Sequence, residues 1–577
     1  MRSNSRRDFI IRVASVSATL AAGGAMADEA EEGFETASAA RRDGPVRFDH
    51  GVASGDPLSD RVVLWTHARR RFTNLPVVMR WEVARDPGFR HLVSAGWVTA
   101  RAENGFTAKV DARGLKAGRS YYYRFRTLFD VSPVGMTRTL PAAGVHSVKL
   151  AVFSCANYPA GFFHAYGEAV RAGAEYALHL GDYIYEYPAD GYASEDAEAL
   201  GRLSTPANEI LTLADYRARY AQYRSDPDLK QLHASMPMIA VWDDHEITND
   251  AYVSGAENHT EGTGEGGEGA FRTRLATALK VYHEWMPIRT PDLRDLRKIY
   301  RSFDFGGLVS LHMLETRVLA RERQVQVGDL INPATAPTAI ATLASPTRQL
   351  LGSEQMAWLT RQMTASRATW QVLGQQVLMG RMEFPASILQ VLNPADTSPE
   401  AQAAAARAIN DYLVAKATAA QAPQLLTPQQ QALLNPQLNP KLGYNLDAWD
   451  GYPAARELLL GTAAALGKRV VVLAGDTHNA WHNDLTLLNG TKVGEEFATP
   501  GVSSPGLEEY LVTLPPVQTA AIFRGVIDTL NYAETARRGF LLMTFTAEAA
   551  VGEWYLLDTV KSTGYAVSMD HSATLIA

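Results

Sequence analysis

The sequence predicts an α/β domain of packed sheets and helices, preceded by an all-β sandwich of immunoglobulin or fibronectin type. Three observations predict it. Beyond residue 146, short apolar runs of strand length alternate with helix-length segments. Before residue 141 the runs are short, alternating or aromatic, and separated by turn residues. Carboxylate, imidazole, phenol and thiol groups follow directly on several apolar runs, where an open α/β sheet displays functional side chains.

Taken in order, residues 1–27 read as a twin-arginine signal peptide. Arg6-Arg7 precedes Phe9-Ile10, a modest apolar stretch runs from Val13 to Ala22, and Ala25-Met26-Ala27 offers a small-x-small cleavage site. The expected partner is the twin-arginine export machinery, and the expected location is the periplasm or outside the cell. That route carries folded proteins, so a metal can be inserted before export. Residues 28–46, rich in Glu, Ala and Ser, read as a linker.

Residues 47–141 carry Val62–Trp65, Val77–Val83 and Tyr121–Phe125, divided by turns such as Ser54-Gly55-Asp56-Pro57. These make the sandwich. Residues 146–577 form the α/β domain, with strands at Val148–Phe153, Tyr176–Leu180, Met238–Trp242, Leu308–Leu314, Trp370–Leu373 and Val470–Ala474. Helices are expected at Phe162–Ala174, Ala270–Trp285 and Gly352–Met363. Ser254–Gly269, rich in Gly and Glu, reads as a mobile surface loop. Residues 394–440, rich in Ala, Gln and Pro, read as a partly helical insertion. Gly539–Phe545 and Glu553–Leu557 read as closing strands.

Composition excludes little: 46% hydrophobic and 20% charged residues describe an ordinary globular chain. The net charge of −7 gives no support for a stable nucleic-acid partner. Beyond the leader no stretch resembles a membrane span, so no transmembrane anchor is expected in the mature protein. No Gly-x-Ser-x-Gly elbow occurs, which argues against a serine hydrolase.

The chemistry gathers at strand ends. Tyr176–Leu180 leads into Gly181-Asp182-Tyr183-Ile184-Tyr185, Met238–Trp242 into Asp243-Asp244-His245-Glu246 with Asn249 behind, and Val470–Ala474 into Gly475-Asp476-Thr477-His478. Cys155, the single cysteine, ends the run Val148–Phe153-Ser154. Alone it reads as a buried small hydrophobe. Beside the other strand ends it becomes a candidate thiolate, because carboxylates bind hard cations while imidazole, phenolate and thiolate favour a transition metal.

These landmarks, with His50-Gly51-Val52-Ala53-Ser54-Gly55-Asp56-Pro57, Trp449-Asp450-Gly451-Tyr452-Pro453 and Phe497-Ala498-Thr499-Pro500-Gly501, resemble those of the PhoD-type alkaline phosphatases. That metallophosphoesterase branch includes phosphodiesterases and a metal-dependent phospholipase D. The resemblance implies an αββα metallophosphoesterase sandwich acting on phosphate esters by in-line attack of a metal-bound oxygen nucleophile. It implies a ferric ion, Fe(III), with two calcium ions, Ca(II). By motif, Cys155, Asp182, Tyr185 and His478 are the implied iron ligands. The resemblance further implies that Asp182 bridges to calcium and that Asp476, with Asp244 or Asn249, completes the calcium shell; both of the last two stay open. His245 is the implied catalytic histidine, assisting phosphate or leaving group. Glu315 stands where the resemblance leads one to expect Asp, and Arg317 reads as a salt-bridged structural arginine rather than a phosphate ligand. The alternatives are a purple-acid-phosphatase-like dinuclear enzyme, whose Gly-Asn-His-Glu/Asp and Gly-His-x-His signatures the chain lacks, and a catalytically dead envelope binding protein.

Overall fold

The computed structural model describes residues 45–392, 398–511 and 514–577. The proposed signal peptide and nearly all of the proposed linker lie outside the described residues. Two mixed sheets face each other across the main core. The first has nine strands and is centred on Val148–Phe153, Tyr176–His179 and Met238–Ala240; the second has seven, centred on Val309–Met313, Trp370–Gly374 and Val470–Ala474. These central strands are buried on both faces, which is why they read as continuous apolar runs. Phe153, Met543 and Trp554 of one sheet share a single core cluster with Leu311, Val372 and Phe497 of the other. Two indoles pin the sheets together. Trp370 Nε1 donates to the Thr546 carbonyl (2.7 Å) and Trp554 Nε1 to that of Ala498 (2.9 Å).

Register places the strand ends level. Phe153 pairs with His179, which pairs with Ala240, all in parallel strands. In the second sheet Gly374 pairs with Leu473, and Ala474 with Ala498. A parallel bridge from Ser154 to Gly501 joins the two edges. Loops leaving these six strands therefore open onto one rim.

Outer layers are helical. His164–Arg171, Leu213–Tyr223, Pro227–Ser235 and Phe271–Trp285 contribute to the first sheet's core, while Gly352–Ala365 and Pro453–Ala465 pack on the second. Leu213–Tyr223 begins with a full capping box, Thr212 accepting from the Asp215 amide while the Asp215 carboxylate accepts from that of Thr212.

The N-terminal region is all-β but shares a sheet with the rest of the chain. Val77–Ala84, Leu92–Ala100, Ser120–Arg126 and Gly135–Arg138 form a four-stranded sheet. Its apolar face packs on Val52–Gly55, Arg61–His67 and Thr107–Arg113, and those three strands extend the nine-stranded sheet through a pairing of Gly55 with Met238. In the region of the expected insertion, helices Pro399–Gln421 and Pro428–Leu434 are present. The first buries Ile409 and Tyr412 in a cluster that holds Phe523 and Val526 of helix Pro516–Val526. Gly539–Phe545 and Ala549–Leu557 are paired strands, as expected, and Val567–Ile576 adds an edge strand.

Candidate metal centre

Four candidate ligands sit on strained backbone. Cys155, Asp182, Asp476 and His478 have φ of 60°, 54°, 67° and 63°, a left-handed conformation that non-glycine residues rarely adopt. Each costs on the order of 1–3 kcal/mol and persists only where the surroundings enforce it. The enforcement is visible at Asp182. The buried Glu246 carboxylate accepts from the backbone N–H groups of Asp182 (3.0 Å), Tyr183 (2.7 Å) and Asp243 (2.8 Å), tying two strand ends into one knot. Gly181 precedes it at φ 117°, where a Cβ would stand 2.3 Å from the Asp243 Cβ. Only glycine lets these loops approach so closely.

Three overlapping groups of side chains bring ligand atoms within 4.8 Å of one another: Cys155 with Asp182 and His478, Asp182 with Asp244 and His245, and Asp243 with Asp244 and Asp476. The Tyr185 hydroxyl joins the first. It donates to Asp182 Oδ2 (3.0 Å), lies 3.1 Å from His478 Nε2, and accepts from Ser504 Oγ (2.8 Å). His478 Nδ1 faces the Pro505 carbonyl at 2.6 Å, which fixes its proton there and leaves Nε2 as the free lone pair. Burial pulls its pKa down to about 3, so the ring is neutral, the form that binds a metal.

The donor set fits cations. Asp182 Oδ1 is buried with no protein partner. Burial, then neighbouring carboxylates, raise the Asp182 carboxyl well above its ordinary value, and burial likewise raises Asp476 despite Arg317. Asp243 is pushed up to about 6, and Asp250 to about 7. Burial lifts the Cys155 thiol, with Asp182 adding to it. Positive charge placed among these groups removes the cause of every one of those shifts except burial.

Arg317 supplies part of that charge. Fully buried, it contacts Asp243, donates to Asp447 Oδ2 (2.7 Å) and Asp476 Oδ1 (2.8 Å), and lies 3.4 Å from Asp244. It is the salt-bridged arginine expected from the sequence. Glu315 holds its loop by accepting from the backbone N–H groups of Arg317, Val318 and Leu319 and from the Trp242 indole.

His245 stands over the same cleft, stacked on Tyr185 with ring centroids 4.1 Å apart. Its Nδ1 meets the buried Glu186 carboxylate at 2.7 Å. Burial opposes a charge on the ring, but Glu186, then Asp182 and Asp244, outweigh it and hold the imidazole protonated well above its usual range. Asn249 lines the cleft too, its side-chain amide donating to Glu257 Oε2 (3.0 Å). The cleft measures about 130 Å³, and Tyr187, Tyr192 and Tyr510 complete its wall.

The fold thus brings every sequence-predicted site residue to one rim. Comparison with known proteins then decides the kinship. The PhoD-like phosphatase description matches residues 150–554, and its N-terminal domain matches residues 35–141. The chain belongs to the PhoD-like phosphatase family. It is 33% identical over 527 residues to alkaline phosphatase D of Bacillus subtilis (strain 168), spanning 87% of this chain and 78% of that protein. A solved structure of PhoD superposes with a TM-score of 0.71 at 29% identity, covering 92% of this chain and 90% of that one. The chain is accordingly a hydrolase of phosphoric ester bonds with PhoD-like alkaline phosphatase function.

Several residues of this PhoD-like site were not singled out by sequence. Glu186 carried a signal, since it directly follows Tyr185 in the strand-end motif. Asp447 carried none, because it follows no apolar run. The Ser254–Gly269 loop is more than a surface loop: its Asn258 side chain donates to Glu186 Oε1 (2.9 Å) and helps orient that carboxylate.

Proposed function

We propose that the chain is an exported, metal-dependent phosphoesterase that hydrolyses phosphomonoesters, phosphodiesters or both. In this reading the two facing sheets are an αββα metallophosphoesterase sandwich, and the N-terminal sheets an immunoglobulin- or fibronectin-like domain. One observation carries it: Cys155, Asp182 and His478 converge with Asp243, Asp244 and Asp476 in overlapping groups of ligand geometry. Cys155, Asp182, Tyr185 and His478 would hold Fe(III), and Asp182, Asp476 and Asp244 or Asn249 two Ca(II). The metal ions would supply a Lewis-acidic charge that activates the attacking oxygen and neutralises the phosphoryl group.

The protein's own contribution is orientation and proton control. Glu186 occupies Nδ1 of His245, so the Nε2–H remains for a phosphoryl or leaving-group oxygen. Arg317 spreads its charge over four carboxylates and so sets their spacing. Arg6-Arg7 and the segment to Ala27 direct export; among the described residues no helix is long and apolar enough to cross a membrane.

Neither alternative is favoured. The kinship is PhoD-like rather than purple-acid-phosphatase-like, and a dead binding protein would have no reason to keep this ligand set on strained backbone. Assay of the exported protein on matched mono- and diesters, with and without chelator, tests the reading. Chelator-sensitive hydrolysis supports it; undiminished turnover in a metal-free preparation would sink it.

A further inference from the structure

A second cavity, about 470 Å³, shares no lining residue with the metal cleft. Its size suits a small ligand. Arg47, Arg69, Arg70, Arg71 and Arg217 line it against one carboxylate, Asp49. Arg47 is paired with Asp49, and Arg217 is held by Glu284 through two contacts of 2.8 Å. Arg69 and Arg71 pair with no carboxylate among the described residues. Arg69 donates to Asn74 Oδ1 (2.9 Å) and lies over the Phe106 ring; Arg71 lies over Phe72.

The cavity's remaining wall is built from His50, His67 and Trp285, rings packed within 5.5 Å of one another. His50 Nδ1, His67 Nδ1 and Trp285 Nε1 are all buried without a hydrogen-bond partner, although Trp285 is 2% exposed. Behind them Arg224, fully buried over Trp65 at 4.1 Å, makes no ion pair among the described residues. Burial is the largest cause that holds both imidazoles neutral; His67 and then Arg224 add to it at His50, while at His67 Asp49 opposes it and Arg69 and then Arg224 reinforce it, giving pKa values of about 3 for His50 and about 4 for His67. Uncompensated positive charge, with the unpaired Trp285 N–H beside it, in one concave site is what an oxyanion needs.

We propose that this arginine-lined cavity is a second oxyanion site, which takes inorganic phosphate or the phosphoryl group of a small organic ligand independently of the metal cleft. Helix Phe271–Trp285 separates the two. Trp285 ends it at the cavity, while Arg274 near its start contacts the Asn258 carbonyl beside Glu186. Fifteen residues at 1.5 Å each put roughly 20 Å between its ends.

Equilibrium binding of inorganic phosphate to the full-length protein tests this, with chloride at matched ionic strength as control. The unaltered protein should bind one phosphate more than the double variant Arg69→Ala, Arg71→Ala, or bind it at least tenfold more tightly, while phosphate-ester turnover is the same in both. Both side chains are solvent-facing, so the fold should tolerate the change; thermal unfolding checks this, and Arg69→Gln, Arg71→Gln is the milder substitute. Phenylphosphonate distinguishes the sources: tighter binding than phosphate assigns an organic phosphate stacked on Phe106, equal binding assigns the free ion. Identical phosphate stoichiometry and affinity in both proteins, or a loss matched by chloride, would overturn the proposal.

Discussion

The Glu186 carboxylate meets His245 Nδ1 at 2.7 Å, with both side chains buried and the imidazole stacked on Tyr185. Glu186 also accepts from the Asn249 backbone N–H (2.8 Å) and from Asn258, so its position is set both by the segment that follows the histidine and by the Ser254–Gly269 loop. Such a pair fixes which ring nitrogen faces the substrate.

Replacing His245 by Asn should lower kcat by about 10²–10⁴-fold. Glu186→Gln should cost less, about tenfold or more, mainly in kcat, and should move the alkaline limb of the rate profile to lower pH because the imidazolium loses its partner. Steady-state kinetics across pH reads both. An unshifted profile in Glu186→Gln would contradict the pairing.

Cys155→Ser should lower metal content and reduce activity about tenfold or more, with the unfolding temperature little changed. The side chain is small and buried, and Ser preserves its volume, but an alkoxide is a poor substitute for a thiolate. Full metal content and activity would remove the thiol from the ligand set.

Gly181→Ala should destabilise the fold by at least about 2 kcal/mol. The new Cβ needs φ near 117° and would stand 2.5 Å from the Asp243 backbone nitrogen. Thermal or denaturant unfolding measures it, and activity should fall in parallel because Asp182 moves.

Metal-stripped protein should lose stability between pH 6.5 and 8. Asp250 and Glu246, with pKa values raised to about 7 and about 8, bind more protons folded than unfolded in this window. So does His245, raised above its usual value. Stability therefore falls as pH rises through the folded values. The neutral His478, lowered to about 3, works in the opposite sense but only below its ordinary value near 6.5. Unfolding temperatures of the chelated protein at the two pH values should differ, and restoring metal should reduce the difference.

Much of this was legible in the chain, for a physical reason. Val148–Phe153 and Val470–Ala474 coincide with the observed strands because both faces are buried and the sequence is continuously apolar. Leu92–Ala100 and Thr107–Arg113 escaped notice because they are only partly buried and carry mixed side chains. The pairing of Gly55 with Met238, which joins the N-terminal strands to the large sheet, leaves no local trace at all. In the site, motif residues following apolar runs were readable, since register alone brings strand ends together. Asp447 meets Arg317 from a loop whose return path depends on tertiary packing, so nothing local in the sequence announced it.

The most direct test is elemental analysis of folded protein recovered after export, on unaltered chain and on the Cys155→Ser variant. The account predicts iron and calcium together in the unaltered protein, two calcium ions per iron, with iron lost preferentially in the variant. Active protein containing neither metal would contradict it.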